Sequence, residues 1–146
     1  MIRFEPEAEK VMFDDARGAF PDECCGFMYG KQEGDTRIII QALPIDNAAT
    51  ENRKRRFVIS PKDYMKGEQY ALENDVELLG IYHSHPNHPA VPSEHDRVAA
   101  QPFFSYVIIS VNEDGVKNVR SWLLNDDSQF DEEPVGAETI IQSNKQ

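Results

Sequence analysis

The stretch from Glu77 to Asp96 constrains this chain most. Residues 77–84, ELLGIYHS, form an apolar run of strand length that ends in His85-Pro86, ahead of a Pro-rich loop, NHPAVP. On a strand, residues two apart point to the same face. His83 and His85 therefore present two imidazoles side by side where the chain leaves the sheet. Ser93-Glu94-His95-Asp96 then opens a helix that stops before Pro102.

The other elements alternate helices with short strands. Ala8, Val11, Met12, Ala16 and Phe20 have helical spacing over residues 5–20. Glu5, Glu7 and Glu9 lie in its first turns, where the helix dipole favours acids, and Pro21 ends it. Residues 25–30 (CGFMYG) and 36–43 (TRIIIQAL) read as strands joined by the turn-rich KQEGD. Residues 44–56 read as a polar loop and Phe57-Val58-Ile59 as a short strand. Ser60-Pro61-Lys62-Asp63 starts a helix that runs to about Asn74, with Ser60 as cap, Pro61 in the first turn and Asp63 completing the cap. Residues 105–111 and 117–124 form a hairpin across Asn112-Glu113-Asp114-Gly115. The acidic segment 125–136 reads as a loop, and Thr139-Ile140-Ile141 as a last edge strand. The pattern predicts an α/β fold, with helices covering a largely antiparallel or mixed sheet. The chain has 146 residues, 40% of them hydrophobic, which supplies one core and no second. With no internal repeat and no dividing linker, a single domain over 1–146 is expected.

Fifteen Lys and Arg against 26 Asp and Glu give a net charge of 15 − 26 = −11. Such a chain repels nucleic acid and anionic membrane surfaces, so neither is an expected partner. No apolar run approaches the length of a membrane helix. The N-terminal MIRFEPEAEK is charged and alternating, unlike a signal peptide, and a cytoplasmic protein is expected. Cys24 and Cys25 are adjacent, a placement that rarely pairs and suits a reducing compartment. Arg53-Lys54-Arg55-Arg56 stands out against the acidic background, either as a solvated turn or as a docking point for an acidic partner.

Two neutral imidazoles on one face suit zinc, and Asp96 returning from the next helix adds an oxygen ligand. Three protein ligands leave a fourth tetrahedral position for water, the arrangement of a catalytic site. Ser93-x-x-Asp96 is also a helix capping box. The two roles are compatible, since Ser93 can cap while Asp96 reaches a metal. His88 and His95 lie in the same stretch. Histidines so placed are usually solvated or support a ligand from behind, and His95, next to Asp96 on a helix, points elsewhere.

His83-Ser84-His85-Pro86, six residues, then Ser93-x-x-Asp96 resembles the signature of the JAMM metallopeptidases, also called the MPN-plus or Mov34/JAB-type domain. Pro21-x-Glu23-Cys24-Cys25-Gly26 after an N-terminal helix is similar to the segment that carries this family's catalytic glutamate. Leu79-Gly80-Ile81-Tyr82 and Val119-Arg120-Ser121-Trp122 are family-like as well, and the likeness spans about residues 5–124 with no departure at the motif positions. The resemblance implies a single JAB/MPN-type domain, a mixed curved sheet flanked by helices of the cytidine-deaminase-like kind. It implies Zn2+ held by His83, His85 and Asp96. It further implies Glu23 as the general base, taking a proton from water and passing it to the leaving amine, and Ser93 as a donor to the developing oxyanion. Without the resemblance, Glu23 reads as a solvated acid in an acidic chain. Ser84, on the opposite strand face, reads as structural. Cys25 reads as a small buried hydrophobe, since a thiol nucleophile would need a base and a depressed pKa.

The compact chain is most similar to stand-alone prokaryotic members that act on small ubiquitin-like sulfur-carrier proteins. This implies zinc-dependent hydrolysis of a peptide or isopeptide bond after a C-terminal Gly-Gly, an end that suits a narrow tunnel because Gly has no side chain to clash. A non-catalytic scaffold of the same fold is the alternative, although such relatives usually lack ligands and all five residues are present here. A zinc deaminase would need His-x-Glu and Pro-Cys-x-x-Cys, which the sequence lacks. A domain like those of DNA-repair-associated relatives conflicts with the acidic balance.

Overall fold

The helix expected over 5–20 forms between Pro6 and Ala19, with Pro6 in its first turn, Glu7 and Glu9 at its positive end and Arg17 at its negative end. The structure is a computed structural model that describes residues 1–136. In chain order these form β1 (Ile2–Phe4), α1 (Pro6–Ala19), β2 (Cys25–Glu33), β3 (Thr36–Ile45), α2 (Pro61–Glu73), β4 (Glu77–Pro86), α3 (Glu94–Ala99), β5 (Ser105–Asn112), β6 (Gly115–Leu124) and β7 (Phe130–Glu133). All the strands join one sheet in the order β1-β3-β2-β4-β5-β6-β7. The sheet is mixed, as expected: β1 runs parallel to β3 and β4 to β5, and the other neighbours are antiparallel.

One helix covers each face. Ala8, Met12, Phe13 and Ala16 of α1 pack on Ile2, Met28, Ile39, Leu79, Tyr82 and Val107. On the other face Phe27, Tyr29, Ile81 and Tyr106 meet Tyr64, Tyr70 and Ala71 of the α2 side. α2 begins as expected, with the Ser60 hydroxyl oxygen accepting from the Asp63 N–H at 3.1 Å. It can lie this close because of Gly67. A Cβ there would stand 2.5 Å from the Phe27 ring, and the Tyr29 hydroxyl donates to the Gly67 carbonyl at 2.9 Å. β4 is central, flanked by β2 and β5, and its last residues carry the two histidines to the sheet's end.

Three readings are corrected. Phe57-Val58-Ile59 is not a strand, because Asn47 takes its place in the hydrogen bonding: the Val58 N–H donates to Asn47 Oδ1 at 3.1 Å, and the Val58 carbonyl accepts from Ala48. The acidic segment 125–136 is not all loop, since β7 pairs with β6. Its Glu133 is buried and accepts from the Ser105 and Ser121 hydroxyls at 2.9 and 2.8 Å. The third is β1, which went unread; it buries Ile2 and Phe4 beside β3. Thr139-Ile140-Ile141 lies outside the described residues. Among the described residues no helix is long and apolar enough to cross a membrane.

Candidate active site

Strand alternation sets the site. Tyr82 joins the α1-side core and Ile81 the α2-side core, so His83 and His85 share Ile81's face. Both are about 1% exposed. Ser84 points the other way and accepts from the Cys24 N–H at 2.8 Å, fastening β4 to the segment that carries Glu23. That is the structural part the sequence suggested for it.

α3 supplies the third group. Ser93 Oγ accepts from the Asp96 N–H at 3.0 Å while Asp96 Oδ2 accepts from the Ser93 N–H at 2.9 Å, a complete capping box. The same Oδ2 lies 3.3 Å from His83 Nε2 and 3.1 Å from His85 Nε2, and the two Nε2 atoms are 3.1 Å apart. Capping and convergence coexist in one carboxylate.

This triangle fits a metal ion. Tetrahedral N and O ligands at 2.0–2.2 Å from zinc stand roughly 3.3–3.5 Å from one another. His85 Nδ1 lies 2.8 Å from the Pro89 carbonyl, which can only accept, so Nδ1 carries the hydrogen and Nε2 a lone pair. In the neutral imidazole that lone pair faces a carboxylate oxygen at 3.1 Å, an arrangement that a metal ion between them, or a proton on Nε2, satisfies. Burial pulls the His83 pKa down, against the raising effect of Asp96, and favours a neutral imidazole. Burial would raise the Asp96 carboxyl, but the adjacent His83, with hydrogen bonds from His85 and the Ser93 backbone, holds it well below the usual range. Phe57 stacks on His83 at 4.4 Å and His88 on His85 at 4.2 Å, fixing both rings.

Glu23 stands beside this group and is 2% exposed. Its carboxylate lies within 4.8 Å of ring nitrogens of both His85 and His88. Glu23 Oε1 and His83 Nδ1 are buried without a hydrogen-bond partner among the described residues. Burial, with a further push from the charge of Asp96, raises the Glu23 pKa to about 9, and Arg55 opposes the shift. Burial also pushes the Cys25 thiol up to about 12 and Cys24 well above its usual value, so neither is a thiolate near neutral pH.

Two clefts meet at the histidines. One, of about 280 Å³, is mostly apolar, with Phe57, Ile81, Tyr106 and Ile108 leading to His83 and Asp96. The other holds Arg55, Arg56, His85, His88 and Ser93. His95 lines both. The sequence suggested that His95 points away, yet from the first turn of the six-residue α3 it lines the junction of the two clefts. Sequence reasoning also passed over Asn47, which is buried and ties Glu23 to the basic loop; nothing in the polar run 44–56 signals that role.

The model of the prokaryotic homologs of the JAB domain matches residues 5–125. A desampylase from Haloferax volcanii is 32% identical over 108 residues, covering 73% of this chain and 74% of that protein. A CysO-cysteine peptidase from Mycobacterium tuberculosis is 30% identical over 126 residues, 86% of this chain and 83% of that one. Among solved structures, a protein from Desulfitobacterium hafniense has a TM-score of 0.81 at 31% identity, covering 93% of this chain and 92% of that one. A JAB1/MPN domain protein from Archaeoglobus fulgidus has the same fold at TM-score 0.54 and 17% identity, with 92% and 98% covered.

Proposed function

The chain belongs to the prokaryotic JAB-domain family, and from that premise we propose that it is a zinc metallopeptidase. It hydrolyses the peptide or isopeptide bond after the C-terminal Gly-Gly of a ubiquitin-like sulfur-carrier protein. The observation that carries this reading is the convergence of His83 Nε2, His85 Nε2 and Asp96 Oδ2 at 3.1–3.3 Å with a buried Glu23 beside them. The choice of substrate rests on relatives named desampylase and CysO-cysteine peptidase.

His83, His85 and Asp96 would hold the ion. When bound, zinc would polarise the scissile carbonyl and make hydroxide available near neutral pH. Glu23 takes a proton from the attacking water and returns it to the leaving amine; a cation held beside it would favour the carboxylate form from which this task starts. The Ser93 hydroxyl uses its oxygen to accept from Asp96 N–H and keeps its hydrogen for the oxyanion that develops on the carbonyl. His88 and Phe57 hold the imidazoles by stacking. The 1–146 chain acts as one domain in the cytoplasm, with its two thiols reduced and with neither nucleic acid nor membrane as a partner. A non-catalytic scaffold would have no use for an unpaired buried acid at this place.

The test combines metal content with cleavage of a carrier protein extended beyond Gly-Gly. The expected result is about one zinc per chain in wild type and in Glu23→Gln, with cleavage by wild type only. A protein that takes up no metal after zinc is supplied, or a zinc-loaded wild type that leaves the extended carrier whole, would overturn the reading.

A further inference from the structure

The two clefts that meet at the histidines differ in chemistry, and Glu23 tells which side of the scissile bond each one serves. Hydrolysis joins a water oxygen to the carbonyl carbon and breaks the C–N bond. One water proton goes to Glu23 and from it to the departing nitrogen, leaving a carboxylic acid and an amine. The departing nitrogen must therefore lie on Glu23's side. The Glu23 carboxylate stands within 4.8 Å of ring nitrogens of His85 and His88. Those two histidines line the basic cleft and not the apolar one. The released segment thus runs over the basic cleft, and the carrier's tail enters along the apolar one.

Arg55 and Arg56 form the cationic wall of that cleft. Arg53 next to them pairs with Asp22 at 3.4 Å, whereas neither Arg55 nor Arg56 has an ion pair among the described residues. Their backbone is pinned: Arg55 N–H donates to the Asn52 carbonyl at 3.0 Å, and the Arg56 carbonyl accepts from Asn47 Nδ2 at 3.0 Å. Two unneutralised guanidinium groups are thus held beside the leaving side of the site in a chain of net charge −11. A guanidinium binds a carboxylate through paired N–H donors, a match that an amide or a hydroxyl cannot make. Arg55 acts through space on the Glu23 carboxyl and shares the cleft with His85 and His88, so the terminus of a released segment of one or two residues, at about 3.3–3.6 Å each, stays within this cleft.

Resting on the peptidase reading above, we propose that Arg55 and Arg56 bind the free α-carboxylate of the released segment, so that the preferred substrate carries only one or two residues beyond Gly-Gly. The enzyme is then a trimming peptidase that reads a chain terminus. A leaving lysine inside a folded protein lacks that nearby carboxylate and is the poorer substrate.

The test uses a carrier protein ending in Gly-Gly-Ala, made once with a C-terminal carboxylate and once with a carboxamide. Zinc-loaded wild type is expected to prefer the carboxylate by about tenfold in kcat/KM, the scale of a charge-assisted pair at an accessible site. In Arg55→Gln/Arg56→Gln the ratio falls close to one, and in Arg55→Lys/Arg56→Lys it recovers in part. Zinc-loaded Glu23→Gln, which does not turn over, is expected to bind the carboxylate form more tightly by the same factor in fluorescence anisotropy. Equal cleavage of both forms by wild type overturns the inference and leaves the peptidase reading intact. So does an arginine variant that slows both forms alike, which would assign the cations to an acidic surface of the carrier or to the effect of Arg55 on Glu23. If wild type cleaves neither form, the peptidase reading fails and takes the inference with it.

Discussion

Asn47 donates its side-chain amide hydrogen to the carbonyl oxygen of Glu23 at 3.1 Å. The same nitrogen donates to the Arg56 carbonyl at 3.0 Å, and Asn47 Oδ1 accepts from the N–H groups of Ala49 and Val58. One buried side chain therefore joins the segment that carries the acid to the loop that carries the cations. The Glu23 N–H completes the bracket by donating to the Arg53 carbonyl at 2.7 Å. The proposed base and the proposed leaving-group wall are positioned by one knot.

Removing that knot should cost both stability and turnover. Asn47→Ala leaves four backbone partners without their hydrogen bonds, and buried unsatisfied groups cost about 1–3 kcal/mol each before relaxation. With water reaching the exposed loop, a loss of about 2–4 kcal/mol is expected by denaturant unfolding. At a temperature where the variant stays folded, kcat/KM should still fall by more than about tenfold, because Glu23 is no longer fixed. Asn47→Asp keeps the acceptor for Ala49 and Val58 and should fall between the two. A variant that unfolds and cleaves like wild type would remove Asn47 from this account.

Glu23 should reveal itself in the pH dependence of stability of the metal-free protein. Its folded pKa is raised to about 9, from an ordinary value of 4.5, chiefly by burial. Between these values the folded state binds the proton and the unfolded state does not, so stability falls as pH rises. The contribution is fully present below about pH 4.5 and lost by about pH 9. Glu23→Gln removes this dependence. The variant should melt close to wild type at pH 5 and progressively above it toward pH 9. Parallel melting curves across this range would mean that the Glu23 carboxyl is solvated.

The triangle of His83, His85 and Asp96 was legible because it follows from local rules. A strand period of two puts His83 and His85 on one face, and a capping box fixes Asp96 three residues after Ser93. What escaped the sequence depends on distant partners. β1 has three residues and is held by β3, more than thirty positions later. β7 is acidic, and its Glu133 is tolerated inside because Ser105 and Ser121 donate to it and the N-terminal ammonium lies 3.8 Å from its other oxygen. Phe57-Val58-Ile59 has strand composition, yet Asn47 claims its backbone from eleven residues away. The clefts were equally invisible, since the apolar one gathers residues from five separate segments and the basic one joins the 52–56 loop to the distant stretch 85–95.

Ser93 and Asp96 share one capping box, and substitutions should separate capping from ion binding. Asp96→Asn retains an acceptor for the Ser93 N–H but loses the charge that a zinc ligand needs. Metal content should drop to background, together with the rise in Tm that zinc gives a protein whose folded state alone binds it. Ser93→Ala loses the cap, at about 1 kcal/mol, and the hydroxyl donor. It should keep its metal while kcat falls by about 10²-fold, the scale of a lost oxyanion donor. Should Asp96→Asn bind zinc as wild type does, the carboxylate would be a cap alone.

The apolar cleft can be tested by filling it. Ala99 lies on the last turn of α3, is exposed, and lines this cleft opposite His83 and Ile81. A phenylalanine there can occupy the cleft of about 280 Å³ without disturbing the core or the ligand triangle. Stability should stay within about 0.5 kcal/mol of wild type, as for most surface changes, and zinc content should be unchanged. Binding of the carrier's tail should weaken, so KM rises by at least about tenfold while kcat changes little, the pattern of lost uniform binding. Ala99→Ser, which fills nothing, serves as the comparison and should behave like wild type. If Ala99→Phe keeps the wild-type KM, the tail does not enter between α3 and Ile81, and the assignment of the two clefts to the two sides of the scissile bond must be exchanged.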